Sequence, residues 1–226
     1  VPVSATDLLL IRHGETAWNR ERRIQGQTDT PLHASGIRQA AAVARRLAAE
    51  RARWRLGDEP GRAAPLLLTS DLARCRLTAE PIGAALGLVC TPEPRLRERA
   101  FGAFEGCTPH DLAREHGAHL DAWRRRDPDL AVGGGESLRS FAARVHALLD
   151  DLVARHPART LLLVTHGGVL DVVHRRVRGT PLQAPRDFEI PNAALNRVRY
   201  EAGHWEVLCW ADVEHGRDAL DDADRS

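Results

Sequence analysis

Lysine is missing from this 226-residue chain, and every one of its 32 basic residues is arginine. Arginine is therefore too common for its presence alone to mark a site. Charge of one sign is also missing: the formal net charge is +1. No large field argues for nucleic acid or an anionic membrane as a partner. Arginine runs such as Arg124 to Arg126 read as a solvated face. No long apolar run occurs. The stretch Leu8 to Ile11 is too short for a membrane span or the core of a signal peptide, which predicts a cytoplasmic protein. Cysteine is sparse, and Cys75, Cys90, Cys107 and Cys209 include no CxxC pair. They read as reduced thiols rather than a disulfide frame or zinc site. His110, His116 and His119 lack zinc-site spacing and read as surface histidines, so no metal and no cofactor are expected. No internal repeat is visible.

What remains is an ordinary globular balance of 43% hydrophobic and 28% charged residues, in a length that suits one domain spanning 1–226. Leu8-Leu9-Leu10-Ile11, Leu66-Leu67-Leu68-Thr69 and Leu161-Leu162-Leu163-Val164-Thr165 are apolar throughout, as buried parallel strands require. Helical spacing covers about 36–50, 73–86 and 137–155. The first of these places Ile37, Ala40, Ala41, Val43, Ala44 and Leu47 inward. Shorter strands are predicted near 89–91, 194–200 and 205–210, the last two around a turn at Gly203. Residues 53–65, with two glycines and two prolines, read as a loop. Residues 96–135 are irregular and predict a lid-like segment with short helices near 111–116 and 119–125. The tail after 212 reads as loose. The alternation implies a three-layer α/β/α sandwich with a mostly parallel sheet.

In such sheets ligands bind beyond the carboxyl ends of the strands. Three strands end on polar groups: Arg12-His13, Ser70-Asp71 and His166. Each histidine precedes a glycine, which lets the backbone turn sharply near a ligand, and a following helix N-terminus suits an anion. Arg74 lies on the first turn after Asp71. A lone histidine at a strand end is more often structural than catalytic. Two in register with two guanidinium forks instead make a compact pocket for a phosphate dianion.

Arg12-His13-Gly14-Glu15-Thr16, with Asn19 three further on, resembles the signature of the histidine phosphatase (phosphoglycerate mutase-like) superfamily. Residues 70–80 and 96–106, then Gly134-Gly135-Glu136-Ser137 and Thr165-His166-Gly167-Gly168, resemble its later motifs in order. The resemblance implies that His13 is the nucleophile and becomes a phosphohistidine. It implies that Arg12, Arg74 and His166 hold the phosphoryl oxygens, and that Glu98 protonates the leaving oxygen and then activates water. Asn19 and Gly167 would line the phosphate pocket. Gln25, Gly26 and Arg76 match positions that often contact substrate, and Arg124-Arg125 resembles a pair that binds the substrate carboxylate in the mutases. Glu105 lies in the same motif and is the other candidate acid, its plainer reading being half of a structural ion pair; Glu98 is preferred because it occupies the family's acid position. Trp18, Trp54, Trp205 and Trp210 read as packing residues.

The family divides into phosphatases and bisphosphoglycerate-dependent mutases. Mutases usually carry Tyr at the position of Phe101, Lys shortly after Gly106, where this chain has Cys107-Thr108, and Asn at that of Gly168. They also have a longer stretch between Gly106 and Gly135. These differences favour a metal-independent phosphomonoesterase, whereas Trp123-Arg124-Arg125 is mutase-like. A non-catalytic phospho-ligand module is the reading from another class, and the full set of motif residues argues against it. Candidate substrates are small phosphorylated metabolites: sugar acids, amino acids or nucleotide-pathway monoesters. The sequence fixes neither the substrate nor the oligomeric state.

Overall fold

A computed structural model describes residues 5–57, 63–115, 117, 123–131 and 133–216. One six-stranded sheet organises the chain. In chain order its elements are β1 (Thr6–Arg12), α1 (Ala17–Arg20), α2 (Ala34–Ala49), β2 (Ala63–Thr69), α3 (Ala73–Leu86) and β3 (Cys90–Pro92). After these come α4 (Pro109–Glu115), α5 (Leu138–Arg155), β4 (Arg159–Thr165), α6 (Gly167–Arg178), β5 (Leu195–Glu201) and β6 (His204–Asp212). The strand order is β3-β2-β4-β1-β5-β6. The first four strands in that order run parallel, and β5 and β6 add an antiparallel edge.

Successive side chains of a strand face opposite sides of a sheet, and β1 shows why its apolar run is unbroken. Leu8 and Leu10 pack with Phe141, Val145 and Leu148 of α5 and Val169 and Val173 of α6. Leu9 and Ile11 pack on the other face with Val43 and Leu47 of α2 and Ala79 and Ile82 of α3. Helices therefore cover both faces, giving the expected three layers. Each fully buried leucine stabilises the sandwich by roughly 1.5–3 kcal/mol.

The expected strands and long helices are all present, with one correction on α2. Ile37 is 58% exposed, and Gly36 faces inward instead. The cause is a backbone contact: a Cβ on Gly14 would lie 2.5 Å from the Gly36 carbonyl oxygen. That close approach turns the 36–40–43–47 stripe to the sheet and Ile37 to solvent. The four-residue α1 carries no apolar stripe; a capping box between Thr16 and Asn19 starts it. The helix expected at 119–125 lies mostly outside the described residues, as do His116, His119 and the tail beyond 216. Among the described residues, no helix is long and apolar enough to cross a membrane.

Candidate active site

The sheet register brings the two strand-end histidines together. β1 pairs with β4 so that Arg12 lies opposite Thr165, and the His13 amide continues the ladder to the Thr165 carbonyl at 2.9 Å. His13 and His166 each follow by one residue, on adjacent strands. Their rings sit 5.2 Å apart, tilted by 60°, close to the spacing between neighbouring strands of about 4.8 Å.

Both imidazoles are buried. His13 Nδ1 lies 2.8 Å from the Gly14 carbonyl oxygen. A carbonyl only accepts, so Nδ1 carries the proton and Nε2 keeps its lone pair. Burial, then the charges of Arg12 and Arg74, push the His13 pKa well below its ordinary value, which keeps the ring neutral. His166 is shifted the same way by burial and then by Arg74. Arg74 donates from Nε to His166 Nδ1 at 3.2 Å, which directs the Nε2–H of His166 to the Ser70 hydroxyl at 2.9 Å.

Arg74 is fully buried. Its other contacts are neutral: Nη1 donates to the Thr28 carbonyl at 2.9 Å and Nη2 to the Gly26 carbonyl at 2.6 Å. Arg12 donates from Nη1 to the Ile190 carbonyl, while its buried Nε finds no partner among the described residues. Burial draws the Arg12 pKa down to about 10, with the Glu98 charge opposing the shift; the guanidinium stays charged at neutral pH. Two cations are thus held beside two neutral imidazoles, and no described carboxylate bonds either one. Burying a charge without a counter-charge costs several kcal/mol. Such a site is suited to an anion that bonds both cations.

Glu98 follows a short 3-10 turn at Pro94–Leu96. Its Oε1 accepts from the Arg99 amide and its Oε2 from the Gly168 amide, each at 2.9 Å. Gly168 leaves the carboxyl its place: an added Cβ would meet Glu98 Oε1 at 2.1 Å, and the carboxyl would have to shift. Asp71, at the end of β2, makes a two-pronged pair with Arg97, at 2.7 and 2.6 Å. Glu105 serves the scaffold, through hydrogen bonds rather than an ion pair among the described residues. It accepts from the amides of Gln27, Thr28 and Phe101 and from the Thr28 hydroxyl. Gly26 fits beneath it with φ of +53° and no room for a Cβ.

Of the remaining sequence-derived positions, Gly167 borders Arg12 and lines a cleft together with Arg12 and Glu98. Asn19 accepts from the Thr16 amide and hydroxyl. Gln25 accepts from the hydroxyls of Thr16 and Thr30. Arg76 is exposed on α3. Arg124 lines the cleft, whereas Arg125 is exposed and is not part of its lining. The cleft holds about 630 Å³ and includes Arg12, Glu98, Phe101, Trp123 and Phe141.

Three supporting residues were not legible in the sequence. Thr78 accepts from the Gly14 amide at 3.0 Å. Asn192 donates to the His13 carbonyl at 3.0 Å. Arg144 of α5 donates to the carbonyls of Arg95, Arg97 and Glu98, and to the Glu136 carboxylate, clamping the segment that carries Glu98. Among the described residues, no group of three or more His, Cys, Asp or Glu is arranged to hold a metal ion.

A doubly covered α/β sheet with two histidines and two arginines at its carboxyl edge defines an enzyme that handles phosphoryl groups. Comparison with known proteins gives its family: residues 8–213 match the histidine phosphatase superfamily (branch 1), and the chain belongs to it. The chain is 36% identical to a probable phosphoglycerate mutase GpmB of Cronobacter sakazakii, over 96% of this chain and 98% of that protein. Among solved structures, a mycobacterial glucosyl-3-phosphoglycerate phosphatase complexed with VO3 superposes with a TM-score of 0.77 at 32% identity, covering 92% of this chain and 99% of that one. Bacillus stearothermophilus YhfR gives 0.78 at 30% identity, covering 93% and 98%.

Proposed function

We propose that the protein is a metal-independent phosphomonoester hydrolase that acts on a small phosphorylated metabolite through a phosphohistidine on His13. The observation that carries this reading is the pair of guanidinium groups, Arg12 and Arg74, held without a bonded carboxylate beside a neutral His13 whose Nε2 lone pair is free of its own proton.

The chemistry follows from that arrangement. The His13 Nε2 lone pair attacks phosphorus as the bond to the ester oxygen breaks, and Glu98, in its protonated form, gives its proton to the departing oxygen. Arg12 and Arg74, joined by His166 as its Nε2–H turns from the Ser70 hydroxyl to the phosphoryl group, stabilise charge on the equatorial oxygens, which is the main demand of phosphoryl transfer. Water deprotonated by Glu98 then attacks the phosphohistidine, releasing phosphate and restoring both groups. Splitting the displacement in two lowers each barrier. The likeness to the mycobacterial glucosyl-3-phosphoglycerate phosphatase supports hydrolysis, and so does Gly168 at the position where mutases usually carry Asn. A cytoplasmic location suits such a substrate.

The mutase reading is favoured by the names of the curated relatives and by Arg124 at the cleft. One assay separates the two: phosphate release from a panel of phosphomonoesters, including 3-phosphoglycerate, with EDTA present and bisphosphoglycerate absent. The hydrolase releases phosphate from one or a few of them. No release, with 2- and 3-phosphoglycerate interconverting once bisphosphoglycerate is added, identifies a mutase. Release abolished by EDTA and restored by a divalent metal overturns the metal-independent mechanism.

A further inference from the structure

The cleft takes in Arg12 and Glu98 of the proposed site, and its lining has an excess of one charge. Five arginines (12, 99, 124, 126 and 186) face three carboxylates, Glu98, Asp127 and Asp171. Most of these charges are already engaged. Arg99 donates to the carbonyls of Glu136 and Leu130. Arg126 donates to Asp171 at 2.5 Å and to the Leu182 carbonyl at 2.8 Å, and Asp171 also takes Arg175. Asp127 Oδ1 accepts from the Asp129 amide.

Arg186 differs. It lies on the exposed loop between α6 and β5, lines the cleft, and makes no side-chain hydrogen bond or ion pair among the described residues. It is close enough to Arg12 for the two charges to oppose each other. A free cation held against another cation, in a concave site, is stabilised when an anion lies between or beside them. The phosphoryl group already has Arg12, Arg74 and the two histidines. Arg186 lines the same cleft as Glu98, the acid proposed for the departing oxygen, together with Phe101, Trp123 and Phe141.

We propose that Arg186 is a specificity-determining residue, which binds a second anionic group on the leaving group of the substrate. The substrate class is then a phosphomonoester whose alcohol carries a carboxylate or a second phosphate on a body able to lie against apolar walls. This inference rests on the hydrolase reading of the same site for its mechanism, but its test reads binding.

Benzylphosphonate and 4-carboxybenzylphosphonate present the same stable phosphonate, without and with a second anion. Their affinities for the intact chain are compared by calorimetry in the wild type, Arg186→Gln and Arg186→Lys. The wild type favours the carboxylated compound by about five- to tenfold, as a charge-assisted hydrogen bond allows. That preference falls to near unity in Arg186→Gln and returns in part in Arg186→Lys. Equal affinities in the wild type, or an undiminished preference in Arg186→Gln, overturn the proposal. Turnover of p-nitrophenyl phosphate in the same samples reports separately on hydrolysis. A binding preference without turnover sinks the hydrolase and leaves the Arg186 site standing, whereas turnover without preference does the reverse.

Discussion

At the scale of the residue, the chemistry depends on protonation. His13 is held neutral because burial, Arg12 and Arg74 all disfavour its cation. Its folded pKa lies below the ordinary value of 6.5, so protonation removes the nucleophile only at lower pH. The profile of kcat/KM, which reports the free enzyme, is expected to stay level as pH falls from 7.5 through 6.5 and to decline below that. An acid limb centred at or above 6.5 would contradict the electrostatic account. Glu98→Gln keeps the shape of the side chain and removes the transferable proton. Alkyl phosphates, with poor leaving groups, should slow by about 10²–10⁴-fold, with p-nitrophenyl phosphate little changed. Equal losses on both would place the acid elsewhere. The placement of Arg12, His13 and His166 was legible because each sits at or just past the end of an apolar strand, where polar side chains stand out, and that of Arg74 because it falls on the first turn of the helix that follows such a strand. Thr78, Asn192 and Arg144 were not, because the partners through which they support the site are backbone amides and carbonyls. Any residue offers those groups, and only the folded chain shows which ones meet, as with Asn192 and the distant His13 carbonyl.

At the scale of the element, the first turn of α6 and the segment carrying Glu98 share one contact. Gly168 gives its amide to Glu98 Oε2 and leaves no space for a side chain beside Oε1. Gly168→Ala should therefore leave the helix intact, since alanine favours helix, while displacing the carboxyl. A small misplacement of a catalytic group is costly, so turnover of alkyl phosphates is expected to fall by about 10–100-fold. The loss should be much smaller with p-nitrophenyl phosphate, matching the pattern of Glu98→Gln. A uniform loss on all substrates would mean that the substitution disturbs the phosphoryl pocket instead. Elements with a long periodic signal were legible: the inward stripe of α5, from Leu138 through Leu152, is buried throughout. The inner face of α2 was misjudged at Ile37. The deciding contact is between the Gly14 and Gly36 backbones, and hydrophobic periodicity carries no information on backbone approach.

At the scale of the whole molecule, burying two imidazoles as neutral rings couples stability to acidity. In the unfolded chain each histidine titrates at its ordinary value, while in the folded chain both pKa values are depressed. Below 6.5 the unfolded state binds more protons than the folded one, so stability falls as pH drops through that point towards the lowered values. The midpoint of thermal unfolding should accordingly decline between pH 7 and 5, and less steeply in a variant with both histidines replaced by Gln. An equal decline in that variant would assign the effect to other groups. The overall layering was legible because three strands are apolar on both faces. The charge pattern of the cleft was not, since with arginine as the sole basic residue the sequence could not separate Arg126, paired with Asp171, from Arg186.

The shared register of β1 and β4 has a further consequence, for how such a protein can diversify. The spacing of the two imidazoles is a property of the ladder, so an insertion or deletion inside either strand would turn one ring to the opposite face of the sheet. Between the end of α6 and Arg186, by contrast, added or lost residues change a wall of the cleft and leave the ladder, and with it the spacing of the imidazoles, as it is. Length variation can therefore accumulate in the parts that choose a substrate while the parts that move phosphorus keep their spacing, and drift in one need not be repaired in the other.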